Sequence, residues 1–230
     1  MTPLALLTGA FMALVCGLDR IAVFQVLISR PVVAAPVTAL LLGEPLIGLQ
    51  IGVMVELLWL ARLPVGAAVP PDDTQVAIGA SVLAVVMGRH LDAMTLTMTL
   101  VCLLVAFPLG KVGQFFEHRA RLYNGRLPGL VEQAIEQGKM GQAQWQHLRG
   151  MLSFALSSLL TYGAIVAGGL LAVPHIWPLV QNPVSLSAEA LQLALPLIGV
   201  AMILGSINVS RAITLFCAAF GMAFLLLWLV

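Results

Sequence analysis

Residues 43–73 read GEPLIGLQIGVMVELLWLARLPVGAAVPPDD, and the fold turns on how this stretch is taken. It sets a carboxylate, Glu56, within an apolar helical run and then breaks that run with glycine, paired prolines and paired aspartates. Gly48, Gly52 and Glu56 recur every four residues, so two gaps in side-chain cover share a helix face with the acid. Another backbone or a ligand can approach closely there. The two prolines, Pro70 and Pro71, remove amide donors and bias the residues before them toward extended backbone, so Val65 to Pro71 is not continuous helix. Irregular backbone of this kind is tolerated at membrane depth only where protein or water covers it, and interrupted helices mark substrate sites in many transporters.

Composition sets the solvent in which this stretch is to be read. The chain of 230 residues is 60% hydrophobic and only 9% charged, with a mean hydropathy of +1.03, whereas average soluble proteins carry about 25% charged residues. We expect an all-α, polytopic integral membrane protein with discontinuous or re-entrant helices, its surface in contact with membrane lipid. A net charge of +1 and the lack of a basic stripe give no support for nucleic-acid binding. Cys16, Cys102 and Cys217 are scattered singly and the four histidines form no paired motif, so no disulfide framework, metal or cofactor is expected.

An ionisable group at membrane depth is costly unless it is paired, hydrated or facing a cavity, which makes Glu56 a candidate binding residue. The plainer alternative is a carboxylate paired with Arg62 or Arg30 that only holds helices together. Asp72 with Gln75 three residues on has the form of a capping box opening the helix Val76 to Met87, and an aspartate cap beside a cavity also presents acceptors. Asp73 adds a second carboxylate. Gln25 and Arg30 enter the same neighbourhood if the arms before the Glu56 helix fold against it; otherwise they are an interfacial cap and a headgroup anchor. Trp59, one turn beyond Glu56, offers a flat aromatic face or simply packs.

The run Gly48 to Asp72 resembles the enzyme IIC membrane subunit of the mannose, fructose, sorbose and N-acetylgalactosamine class of bacterial phosphotransferase systems. That family carries a glycine-rich helix with a glutamate, followed about ten residues later by a Gly-Ala-Ala-x-x-Pro-Asp loop, matched here by Glu56, Gly66, Ala67, Ala68, Pro71 and Asp72. Arg30-Pro31 upstream fits the family order. So do Asn124-Gly125, Trp145 with His147, and Ile207-Asn208 with Arg211-Ala212 downstream. Pro70, Asp73 and Arg62 depart from the pattern.

The resemblance implies a sugar-translocating permease subunit of the bacterial inner membrane. It binds a hexose or amino sugar and works with a second membrane subunit, IID, as a homo-oligomer of IIC–IID units. Separate soluble IIA and IIB proteins carry the phosphoryl group, so the chain is a transport subunit and not an enzyme by itself. It also adds Asn208 to Glu56, Asp72, Asp73, Gln25, Arg30 and Trp59 as substrate-binding candidates. Two other classes remain open on the residues: a proton-coupled secondary transporter using Glu56 or Asp72 as a relay, and a regulatory subunit with a vestigial site.

Three regions follow along the chain. Residues 1–110 form an N-terminal membrane block. Thr2 to Leu18 reads as a retained membrane helix and not a cleaved signal peptide. Phe24 to Ser29 and Val32 to Gly43 read as interrupted arms, and Thr74 to Met87 and Ala93 to Gly110 as apolar segments joined by the polar turn at 88–92. Residues 111–150 hold six of the eleven Lys and Arg residues against three acids, which puts this amphipathic stretch in the cytoplasm. It either rests on lipid headgroups or, on the resemblance, docks a soluble phosphoryl donor. Residues 151–230 form a second membrane block, with Met151 to Val173 spanning, a proline-broken loop at Leu179 to Ser187, and the last two segments at Leu191 to Gly205 and Ala212 to Val230. Six to eight membrane segments are expected in all.

Overall fold

The computed structural model describes residues 3–60, 69–206 and 212–229. Among these residues the regular structure is entirely helical: α1 (Pro3–Ile21), α2 (Pro31–Leu41), α3 (Pro45–Trp59), α4 (Asp73–His90), α5 (Leu96–Asn124), α6 (Leu127–Glu136), α7 (Met140–Ser206) and α8 (Ala212–Leu229). α1, the α5–α6 stretch and α7 are long and apolar enough to cross a membrane.

α2 and α3 are 11 and 15 residues long, about 16 and 22 Å at ~1.5 Å per residue, and neither alone crosses a hydrocarbon core of about 30 Å. Each starts at a proline, where the missing amide costs nothing. They form a hairpin packed backbone to backbone: a side chain at Gly48 would collide with the Ala35 carbonyl and Ala39, and one at Gly52 with the Pro31 carbonyl and Pro36. The glycine face of the Glu56 helix therefore receives α2. Both feet of the hairpin, Arg30 and Glu56, lie together and are paired. At its tip, Arg89 from the end of α4 donates to the Leu42 carbonyl at 2.7 Å and pairs with Glu44 at 3.3 Å.

α4 is the central helix, buried from Thr74 to Gly88. It is lined with small residues, and Ile165 of α7 sits where a side chain at Gly79 would go. α1 is tied in by Gln75, whose Nε2 donates to the Ala13 carbonyl at 3.0 Å, and by Tyr162 of α7, whose hydroxyl donates to the Leu6 carbonyl at 3.0 Å. α5 runs unbroken from the apolar block into the basic stretch, stops at Gly125, and is followed by the amphipathic α6.

The expected loop at Leu179 to Ser187 is helical: α7 continues through Pro174, Pro178, Pro183 and Pro196. Each proline removes one amide donor, so these turns kink without ending the helix. Gly168 packs against Leu109, while Gly199 meets Leu57 at the end of α3, and Trp59 contacts Phe107. Thirty-one residues of straight helix would put Gly168 and Gly199 about 46 Å apart, farther than that short chain of contacts reaches. α7 therefore bends back across the protein, and all four of its prolines lie between these two contacts.

Candidate functional site

The breaks after α1 and before α4 converge on a cavity of about 210 Å³, below the ~300–1,000 Å³ of pockets for drug-sized ligands and suited to a small solute. Its polar wall consists of Arg20, Ser29, Arg30, Glu56, Asp73 and Thr74, and Trp59 supplies an aromatic surface. Leu27, Pro31, Leu60, Pro70 and Pro71 complete the lining.

Two guanidinium–carboxylate systems organise it. Arg30, at the N-cap of α2, pairs with Glu56 Oε1, while Glu56 Oε2 accepts the Val32 amide at 3.4 Å. Arg20 bridges to Asp72 at 2.5 Å and to Asp73 at 3.3 Å. Asp72 caps α4, accepting the Gln75 amide at 3.0 Å. Only this half of the expected capping box forms, because the Gln75 side chain is turned to α1. The Ser29 carbonyl accepts the Thr74 hydroxyl at 2.8 Å, tying the α1–α2 connection to the start of α4. The Trp59 ring is fixed edge-on to Phe107, with centroids 5.1 Å apart.

The structure thus brings Arg30, Glu56, Trp59 and Asp73 to one cavity, with Asp72 buried directly behind it on Arg20. Gln25 is elsewhere: it is exposed, and its Nε2 donates to the Ile21 carbonyl at 3.0 Å. Asn208, Arg211, Arg62 and the Gly66-Ala67-Ala68 motif lie outside the described residues. Arg20, Ser29 and Thr74 are wall residues that the motif reading missed. Arg20 could have been found by the argument applied to Glu56, since it is an ionisable residue closing an apolar helix. Ser29 and Thr74 carry no such signal, because they enter through a backbone carbonyl and a helix start. Among the described residues no group of three or more His, Cys, Asp or Glu side chains is placed to hold a metal ion.

Chemically, the wall offers strong acceptors on Glu56 and Asp73 and strong donors on Arg20 and Arg30, beside a flat ring. Hydroxyl groups donate and accept at once, so a polyol can satisfy both kinds of partner in so small a space.

The family model for the PTS system sorbose-specific IIC component matches residues 4–229. The chain belongs to this family. As a family member with three spans of sufficient length and apolarity, it is a multi-pass protein of the bacterial inner membrane. It is similar to the sorbose-specific EIIC component of Lacticaseibacillus casei, 24% identical over 127 residues, which is 55% of this chain and 43% of that protein. The mannose-specific EIIC component of Escherichia coli K12 is likewise 24% identical over 127 residues, covering 55% of this chain and 45% of that protein. The matched stretch thus spans less than half the length of either relative.

Two solved structures share the IIC-family fold of this chain. One, described only as the structure of a membrane protein, has a TM-score of 0.68 at 20% identity. The other is the cryoEM structure of the mannose transporter ManYZ in complex with microcin E492, with a TM-score of 0.58 at 21% identity. In each comparison the match covers 97% of this chain and 87% of the other.

Proposed function

We propose that this chain is the sugar-translocating IIC subunit of a mannose-class, phosphoenolpyruvate-dependent phosphotransferase system. It binds a hexose or amino sugar in the membrane and delivers it for phosphorylation by separate IIA and IIB proteins, in homo-oligomeric units with IID. Glu56, Asp73, Arg30 and Trp59 contact the sugar. Asp72 acts behind them by fixing Arg20, and Asn208 is retained on the family pattern alone. The observation that carries this reading is the small cavity with two arginine–carboxylate systems at the junction of two interrupted helices.

The depth of the cavity supports it. Gly113 of α5 lies against Asp72, and Gln114 donates to the Val69 carbonyl at 2.6 Å. Both residues are within the basic stretch that the positive-inside rule assigns to the cytoplasm. The solute site is therefore at the cytoplasmic end of the membrane block, on the side where a soluble phosphoryl donor works. The residues 111–150, carried on the end of α5, on α6 and on the start of α7, would form the donor's docking surface between the two membrane blocks.

The test is phosphoenolpyruvate-dependent phosphorylation of a hexose and amino-sugar panel by membranes with and without this gene, supplied with soluble fraction. One sugar's phosphorylation is expected to disappear with the gene, to return with the native chain, and to stay below about one hundredth of native with Glu56→Gln. A panel that does not respond to the gene sinks the reading. Uptake that collapses with the proton gradient and ignores phosphoenolpyruvate would replace it with a proton-coupled carrier.

A further inference from the structure

Asp19 is buried, 3% exposed, in the last turns of α1, and it does not line the cavity. Its carboxylate is turned to backbone: Oδ1 accepts the Val26 amide at 2.8 Å and Oδ2 the Ser29 amide at 3.0 Å. Among the described residues it has no cationic partner within ion-pair distance.

The segment it grips is strained. Phe24, Gln25 and Leu27 have φ of 61°, 54° and 69°, left-handed values that a residue with a Cβ rarely adopts. Such a conformation persists only where surrounding groups over-determine it. Packing does not supply the constraint, because Phe24 is 88% exposed and Val26 and Leu27 are exposed as well. Local bonds such as Gln25 Nε2 to the Ile21 carbonyl stay within a few residues; the side chains that reach the segment from helices are Asp19 at two amides, Cys16 at the Ile28 carbonyl and Thr74 at the Ser29 carbonyl.

What the grip fixes is one wall of the cavity. Leu27, Ser29 and Arg30 all line it, and Arg30 makes the pair with Glu56. The next residue, Arg20, reaches the opposite wall at Asp72 and Asp73. We propose that Asp19 is a positioning residue for solute binding, holding the strained segment 22–30 so that Arg30 and the Ser29 carbonyl close the cavity onto Glu56 and Thr74. Asp19 and Arg20 together make the end of α1 the common support of both walls. The kinetic side of this inference rests on the transport reading; the structural side does not.

Hydrogen–deuterium exchange on the purified chain, with Asp19→Asn and Asp19→Ala, tests the structural side without any sugar. Amides in 22–30 are expected to exchange about tenfold faster or more in Asp19→Ala, and less so in Asp19→Asn, which keeps one acceptor oxygen. Exchange in α4 and α5 stays at the native rate. With the sugar that the phosphorylation panel identifies, the same variants are expected to raise KM about tenfold or more while the maximal rate stays within about threefold.

Unchanged exchange in 22–30 overturns the proposal. So does exchange that rises equally across α1, α4 and α5, which would make Asp19 a general stabilising residue, and so does a loss confined to the maximal rate. If membranes carrying the native chain support phosphorylation of no sugar while local opening is still seen in the variants, the transport reading falls and the positioning of the wall stands.

Discussion

α4 and α8 are both apolar helices of 18 residues, yet α4 is buried from Thr74 to Gly88 while the described side chains of α8, from Ile213 to Trp228, face outward. α8 is the more hydrophobic in sequence, with Leu, Phe and Trp and no charge, and among the described residues it has no substantial packing against any other helix. α4 carries Asp73, Thr74, Gln75 and Ser81 among glycines and alanines. A soluble protein would bury α8 and expose α4. Lipid tails are as apolar as leucine, so large apolar residues gain little by leaving them. Small residues let helices approach, and polar groups need protein partners. α4 supplies both needs: the Ser81 hydroxyl donates to the Ala77 carbonyl at 2.8 Å, and Thr74 and Gln75 reach neighbouring segments.

The contrast is most exposed to failure at the cavity end of α4. Arg20→Gln leaves the Asp72 carboxylate, 7% exposed, without its cation, and is expected to cost about 3–5 kcal/mol in thermal unfolding in detergent. Adding Asp72→Asn should recover much of that loss. If the single variant melts like the native chain, charge pairing does not hold the buried helix. Next in size is Gly79→Leu, which drives a side chain into Ile165 and should cost about 1–3 kcal/mol.

At the far end of α4, Arg89→Gln gives up an exposed pair with Glu44, with an expected change of about 1 kcal/mol or less. A larger loss there would show that the hairpin tip is held by charge as firmly as the cavity is. The smallest effect is expected on α8: a side chain at Gly221 meets nothing within 4 Å, so Gly221→Leu should stay within about 0.5 kcal/mol of native. A large effect from that change would mean that α8 is covered by another chain.

The helix breaks at Arg30-Pro31 and Pro70-Pro71, the close-packed glycine face and the Asp72 cap were legible because each depends on local chemistry: a missing amide, a missing Cβ, a carboxylate three residues before an amide. The placement of Gln25 was not. It depends on φ angles that Asp19 imposes from the preceding helix, and no periodicity carries that information. Nor was the continuity of α7. The proline-containing stretch Leu179 to Ser187 reads locally as a loop, but neighbours packed against Gly168, Gly169 and Gly199 hold the helix in register through it. Within the candidate site, charges in apolar surroundings were conspicuous, whereas Ser29 and Thr74 are ordinary residues made relevant by tertiary contact.

The α2–α3 hairpin has a mechanical consequence. With carbonyls seated against Gly48 and Gly52, its two arms have no side-chain layer between them in which to slide. They move as one beam. Glu56 near the foot and Glu44, which caps α3 at the tip, are twelve residues apart, about 18 Å along the helix, so any tilt of the foot is carried to the tip beside Arg89. A label on the tip would then read cavity occupancy from about 18 Å away.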